Sequence, residues 1–262
     1  MILAIDVGNT NIVLGCMDSE KIHFTARFST DRYKTSDEYA ILLKNLFMVN
    51  RFNISHIEGG IISSVVPELS VALQEAVKIV TGKDAMIVGS GLKTGLNIMI
   101  DNPAQLGSDL VVDAVAACAE HKKPILIFDM GTATTLSVID DVGNYIGGMI
   151  IPGIRLATEA LSKQTSQLPH ISLEAPKKIM GTNTIDCMKS GAVFGNAAML
   201  DGIIERVEEE LGQKATVVAT GGLTSCVVPH CKHKIICDKD LLLKGRPGRV
   251  QGTGHDRKAR SD

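Results

Sequence analysis

The sequence has no excess of charge of either sign: 27 Lys and Arg stand against 29 Asp and Glu, for a formal net charge of −2. A chain so balanced has no whole-protein electrostatic bias toward nucleic acid or a membrane surface, so neither is expected as a partner. It also lacks any apolar run approaching the roughly 20 residues that cross a bilayer. No basic segment precedes the first apolar run, which Asp6 interrupts, so no N-terminal signal peptide is expected. Without a secretory signal, the six cysteines are expected to be reduced thiols of a cytoplasmic protein. What remains is a chain of 262 residues, 45% hydrophobic, long enough to bury a sizeable core in one large domain or two of ordinary size.

The stretch around which the chain is organised lies almost at its start. Met1 to Ile5 predict a buried strand ending in Asp6; Gly8, Asn9 and Thr10 form a tight polar turn, and Ile12 to Leu14 resume a strand. Small residues at such a turn let backbone N–H groups converge on a phosphate, and a carboxylate at the strand end suits a hydrated Mg²⁺ bridging phosphate oxygens. An ordinary hairpin turn explains this one stretch equally well. A second copy shifts the balance: Pro124 to Phe128, then Asp129-Met130-Gly131-Thr132-Ala133-Thr134-Thr135, then the strand Leu136 to Ile139. Two such loops facing each other can clamp one nucleotide. The arrangement resembles the fold shared by actin, sugar kinases and heat-shock ATPases. That resemblance implies an α/β protein of duplicated ribonuclease-H-like domains, with mixed sheets flanked by helices. The halves are expected at 1–115 and 116–245, followed by a tail at 246–262.

Between the two copies the elements alternate. Lys21 to Phe28 predict a third strand, with Ser19 and Glu20 in the turn before it. Thr35 and Glu38 have capping-box spacing ahead of a helix whose apolar face is Ile41, Leu42, Leu46 and Phe47. Gly60 to Val66 is a strand running into Pro67, which suits the first turn of a helix lined by Leu69, Leu73, Ala76 and Val80 up to Gly82, and Ala85 to Val88 is a further strand. After Lys93 and a turn at Asp101-Asn102-Pro103, a helix is expected over about 104–121, with Leu110, Val111, Ala114, Val115 and Cys118 on its apolar face. Asp109 and Asp113 are four apart and share a face of it; either one is functionally placed, or both are solvated acids. In the second half a Gly-rich strand and turn (145–153) opens a helix through Leu161. Asn183 or Thr184 caps a long amphipathic helix to Leu211, and the strand Thr216 to Ala219 ends in Thr220-Gly221-Gly222-Leu223, a loop suited to packing against a flat ligand.

Together these motifs resemble the type III pantothenate kinases. The residues carrying the resemblance are 6–11, Asn102-Pro103, Gly107-Ser108-Asp109, 129–135, Gly147-Gly148 with Pro152-Gly153, Asn183-Thr184 and 220–223, in order along residues 1 to about 245. The resemblance implies an ATP-dependent kinase of pantothenate, acting in the first committed step of coenzyme A synthesis as a homodimer whose substrate site lies near the subunit interface. It implies that Asp6, Val7, Gly8, Asn9, Thr10, Asn11, Ile12, Val13 and Thr132 bind ATP. Asp109 is then the catalytic base, and Asp129 the ligand of a monovalent cation, potassium or ammonium. Ile100, Gly107, Ser108, Asp109, Leu110 and Thr184 fall at the pantothenate positions. Phosphoryl transfer needs positioning, charge neutralisation and one group to take the hydroxyl proton, and a carboxylate can fill that last role.

The sequence departs from the family pattern at three positions. Leu110 stands where an Arg usually follows the catalytic Asp, Ile100 where a Tyr usually lines the pantothenate pocket, and Thr182 where a Lys often precedes the Asn-Thr pair. A catalytically weakened nucleotide-binding relative with a regulatory role, or a kinase of another acceptor, is therefore the alternative reading. Residues 246–262 are Arg-, Gly- and polar-rich with almost nothing to bury. They are expected to be a disordered or non-native end, with a basic nucleic-acid-binding tail as the minor alternative. Cys226, His230, Cys231, His233 and Cys237 cluster, but their spacings match no standard zinc site.

Overall fold

Strand β1 (Ile2–Val7) is the middle strand of a five-stranded sheet, between β2 (Asn11–Met17) and β4 (Gly59–Ser64), with β3 (Ile22–Ser29) and β5 (Ala85–Ile87) at the edges. The computed structural model describes residues 1–18, 21–89 and 94–245; the turn at Ser19 and Glu20, Lys93 and the tail from Arg246 lie outside them. Strands β1, β2 and β3 run antiparallel, while β4 and β5 are parallel to β1. One face of this sheet packs on α1 (Ser36–Val49) and α2 (Pro67–Thr81) through Leu3, Ile5, Leu14, Phe47, Leu69 and Leu73.

Local sequence explains the starts of these helices. Glu38 N donates to Thr35 Oγ1 (3.4 Å) and Thr35 N donates to Glu38 Oε2 (2.8 Å), a complete capping box. Pro67 occupies the first turn of α2, and Gly82 ends it in the left-handed conformation at φ +68°. The buried face of α1 is Tyr39, Ala40, Leu43 and Phe47, and Ile41, expected on that face, is 61% exposed. Tyr39 decides the phase: its ring fills the core while its hydroxyl donates to Asp31 O at 2.7 Å.

The second half repeats the pattern. Its sheet runs β11 (Ile236–Cys237), β10 (Thr216–Thr220), β7 (Ile125–Met130), β8 (Ala133–Ile139), β9 (Asn144–Pro152), β6 (Asn97–Ile98). Strands β7, β8 and β9 form an antiparallel meander like β1, β2 and β3, and β10 is parallel to β7. Helix α3 (Ser108–Glu120) runs uninterrupted through residue 115, and β6 already belongs to the second sheet. It starts later than expected: Pro103–Gln105 is a separate 3-10 turn, and Gly107 caps the α-helix. The remaining helices are α4 (Ile154–Gln164), α5 (Thr184–Ser190), α6 (Asn196–Leu211), α7 (Thr224–Val227) and α8 (Leu241–Lys244). The single helix expected from Thr184 to Leu211 is interrupted by a π-turn at Gly191–Gly195, bracketed by two poor helix formers. Helix α8 buries Leu241 and Leu243 and places Leu243 against Gly15 on the face of the first sheet opposite α1 and α2.

Candidate active site

The two Gly-Thr loops meet. In the first, Gly8 N donates to Asn11 O (3.0 Å), closing the turn between β1 and β2. The residues after β3 brace it: Thr30 Oγ1 donates to Gly8 O (2.6 Å), Thr30 N to Thr10 O (3.0 Å) and Arg32 Nη2 to Asn9 Oδ1 (3.2 Å). In the second, Gly131 N donates to Ala133 O (3.0 Å) and Gly153 N donates to Thr132 O (3.2 Å), tying the start of α4 to the loop. The hydroxyls of Thr10 and Thr132, 122 residues apart in sequence, lie 3.0 Å from each other. Two unrelated hairpin turns have no reason to converge in this way.

A third loop closes on the same place. Gly221 has φ +95°, and a Cβ there would lie 2.6 Å from both Asp129 Oδ1 and Met130 N. Leu223 N donates to Met130 O at 3.3 Å, so the Thr220–Leu223 turn is pressed onto the end of β7. Only glycine fits that combination of positive φ and close approach.

Four carboxylates share the interior between the sheets. Burial pushes Asp6 up to about 8, with further contributions from the charges of Asp109 and Asp129, against a hydrogen bond from Ser63. Burial, then the charge of Asp109, pushes Asp129 up to about 6. Asp109 is raised by burial and held back by the backbone N–H groups of Leu110 and its own residue. Its carboxylate sits over the first turn of α3, where Gly107 makes room: a Cβ at Gly107 would be 2.4 Å from Asp109 Oδ1. Asp113, one turn along α3, is 1% exposed, neither of its oxygens is hydrogen-bonded among the described residues, and burial raises it well above the usual carboxylate range. The reading of Asp113 as a solvated acid is therefore corrected. The helix face it shares with Asp109 is turned inward, toward Asp6 and Asp129.

These shifts give the site a definite pH dependence. An acid with a folded pKa above its unfolded value binds more protons in the native state, so stability falls as pH rises between the two values. For Asp6 that window runs from about 4 to about 8, and for Asp129 from about 4 to about 6. Metal-free protein is expected to lose stability across that range, and Asp6→Asn or Asp113→Asn to flatten the loss. Urea unfolding at pH 5, 6.5 and 8 in the presence of a chelator measures it; identical slopes in the three proteins would contradict it.

Serines organise the base. Ser108 Oγ lies 3.1 Å from Ser63 Oγ, accepts from Ser64 N (3.2 Å) and donates to Ser64 O (3.3 Å). The hydroxyl of Ser108 thus fastens the start of α3 to the end of β4. Ser63 stands directly opposite Asp6 in the β1–β4 register, and sequence reading missed it. The signal was a pair of serines at the end of an otherwise apolar strand.

The remaining expected positions are distributed differently. Leu110 is partly buried beside Gly107, and Ile100 packs against the core cluster containing Tyr145 and Ala114. Thr184 is exposed at the start of α5, where Asn183 Oδ1 accepts from Asp186 N (2.9 Å), and among the described residues no hydrogen bond ties it to the cleft. Among the described residues no group of three His, Cys, Asp or Glu could hold a metal ion. The His230–His233 segment is fixed instead by Asp201, whose carboxylate accepts from Lys232 N (2.8 Å) and His233 N (2.9 Å).

The cleft still fits hard cations. Thr135 stands opposite Asp129 in the β7–β8 register, and its buried hydroxyl has no hydrogen-bond partner among the described residues. Carboxylate and hydroxyl oxygens are the donors that magnesium and alkali ions take, and a magnesium ion needs only one or two carboxylates beside the phosphates of its nucleotide.

Comparison with known proteins places these features in a family. The type III pantothenate kinase family model matches residues 2–206. A type III pantothenate kinase of an Exiguobacterium species is 44% identical over 245 residues, covering 94% of this chain and 96% of its own length. That of Brevibacillus brevis is 42% identical over the same shares. Among solved structures, a conserved Baf-family protein from Campylobacter jejuni aligns over 95% of this chain and 97% of its own, with a TM-score of 0.56 at 20% identity. A protein from Sinorhizobium meliloti described as a 2-dehydro-3-deoxygalactonokinase aligns over 99% and 100%, with a TM-score of 0.53 at 10% identity. At these identities the structural likeness establishes the fold alone, the duplicated α/β fold of the actin-like sugar kinases.

Proposed function

The chain belongs to the type III pantothenate kinases, and on that premise we propose how its residues carry the family's reaction, the ATP-dependent phosphorylation of pantothenate that begins coenzyme A biosynthesis. The observation that carries the reading is the meeting of Thr10 and Thr132 at 3.0 Å beside the buried carboxylates. The backbone and hydroxyls of Asp6 to Val13 and of Thr132 cradle the phosphate chain, and the Thr220–Leu223 turn packs on the nucleotide. Asp6 and Asp129 hold the cations. A bound divalent ion supplies neutralisation of phosphate charge. Asp109 accepts the proton of the pantothenate hydroxyl; its burial keeps its basicity above that of a solvated carboxylate. Burial raises Asp113 well above the usual carboxylate range, which favours its neutral form and so lightens the negative charge gathered in the cleft. The domain division at 115/116 belongs to the same proposal, with the nucleotide between the halves.

A monovalent cation at Asp129, backed by the Thr135 hydroxyl, makes turnover depend on potassium or ammonium. The rate is expected to fall when sodium replaces potassium at matched ionic strength, and equal rates would remove the assignment.

The acceptor side carries the departures. Pantothenate has one carboxylate, and losing an Arg that pairs it costs about 2–5 kcal/mol. Leu110→Arg is therefore expected to tighten pantothenate, mainly through KM if the contact is equal in ground and transition states. Ile100→Tyr is expected to help less, since it adds packing and one hydroxyl but no charge pair. Calorimetric titration of pantothenate against wild type and Leu110→Arg separates the cases. Wild-type affinity left unchanged by the substitution would mean that another cation, such as Arg155, already supplies the charge.

The homodimer is supported by apolar side chains facing solvent in the residues that flank Thr184: Met180 is 80% exposed, with Ile179 and Ile185 also outside the core. A second copy covering them brings the interface to the pantothenate side. A monomeric mass in sedimentation equilibrium would remove this part. No helix among the described residues is long and apolar enough to cross a membrane, and all six cysteines are free thiols, which supports a reducing cytoplasm. Disulfides in the protein isolated under alkylating conditions would count against that compartment.

A further inference from the structure

The face of the first sheet that looks into the cleft carries one cation that no assigned role uses. Strand register aligns Ser63, Asp6, Val13 and Arg27 in a single cross-strand row over β4, β1, β2 and β3. Side chains in such a row share one face of a sheet. Phe24, Ala26 and Phe28 on β3 pack toward the α1–α2 core, so Arg27, between them in sequence, projects to the opposite side with Asp6. Two strand spacings put its backbone about 10 Å from that of Asp6.

The guanidinium reaches across to the other half of the molecule. Arg27 Nη1 lies 3.6 Å from the position that a Cβ on Gly222 would take. Gly222 follows Gly221, which abuts Asp129 and the end of β7. Arg27 therefore spans the cleft from the row behind the first phosphate loop to the turn behind the second. Among the described residues its guanidinium makes no hydrogen bond or ion pair, although four carboxylates occupy the same cleft. An arginine held over open glycine backbone presents a planar fork of donors to whatever enters. Into a cleft already lined by carboxylates, a nucleotide brings several more negative charges, and neither Gly-Thr loop contains a Lys or Arg.

We propose that Arg27 is a nucleotide-binding residue, its guanidinium donating to the phosphate chain of ATP from the first sheet while the Thr220–Leu223 turn backs the nucleotide from the second. This rests on the reading of the cleft as an ATP site. It adds a specific protein cation to a site otherwise built of backbone, hydroxyls and carboxylates.

Steady-state kinetics and calorimetry on the full-length protein test it, with Arg27→Gln, Arg27→Lys and, as a charge-matched control, Lys44→Gln on the exposed side of α1. Arg27→Gln is expected to raise KM for ATP and the Kd for ADP roughly tenfold to a hundredfold, the usual worth of a charge-assisted contact. Inorganic tripolyphosphate should lose inhibitory potency by a similar factor, with KM for pantothenate and adenosine inhibition within about twofold of the parent. Arg27→Lys should recover part of the loss, because it keeps the charge without the fork, and Lys44→Gln should match the parent. An unchanged KM for ATP in Arg27→Gln overturns the inference alone. So does an equal loss for adenosine and tripolyphosphate, which would make Arg27 a brace for the Gly222 turn or a contact to the base. A parent protein that binds neither ATP nor ADP overturns the nucleotide reading and the inference with it.

Discussion

Asp109→Asn is expected to lower kcat by roughly 10²–10⁴, the usual worth of a positioned general base, with little change in the KM for ATP. Asn is nearly isosteric and can still sit over the first turn of α3, in the space left by Gly107. Fold and nucleotide binding should therefore survive. Asp113→Asn is the matched comparison: the same helix, the same face, one turn further in. Its carboxyl is buried without a hydrogen-bond partner among the described residues, and burial raises it well above the usual carboxylate range, so a neutral amide of the same shape suits the same surroundings. Its expected effect on kcat is less than about tenfold. Equal losses in the two variants would mean that the base had been chosen wrongly between two acids four residues apart.

Gly153→Ala is the second substitution with a large expected effect, and it touches no catalytic group. Gly153 has φ −64° and ψ 151°, which alanine adopts freely, so any consequence is one of space. A Cβ there would lie 2.2 Å from Thr132 O and 2.6 Å from Gly131 O. Both are backbone atoms, so the second phosphate loop must shift as a unit. A displacement approaching 1 Å in a positioning element costs about 10² in rate, and the crowding costs about 1–3 kcal/mol of stability. Gly191→Ala, where a Cβ would meet nothing within 4 Å, is the control and should leave both properties near the parent values. Parent-like kcat in Gly153→Ala would mean that Thr132 does not need its present position.

Both variants act on features of different legibility. The Asp-Gly-Thr units were visible because each combines a strand end, a carboxylate and small turn residues in sequence, and local pattern is enough to find such units. The capping box at Thr35 and the Pro67 start of α2 were readable for the same reason. The phase of α1 was not: Ile41 and Tyr39 are both apolar, and only the hydrogen bond from Tyr39 to Asp31 O decides which turns inward. The inward orientation of Asp113 likewise depends on where Ser108 anchors α3, through contacts to residues 44 and 45 positions away. Ser63 became visible only through its register with Asp6, and Arg27 only through its approach to Gly222. Periodicity carries no information about which strand lies beside which, so partners contributed across a sheet or a cleft stay hidden until the fold is known.

The most direct test of the central reading is a coupled assay of ADP release by the purified protein in potassium buffer with Mg²⁺, run with and without pantothenate, with the products resolved by mass spectrometry. The expected result is ADP release that depends on pantothenate, with phosphopantothenate formed in equal amount. ADP release indifferent to pantothenate, or nucleotide binding with no transfer to it, would contradict a pantothenate kinase and favour the weakened, accessory relative.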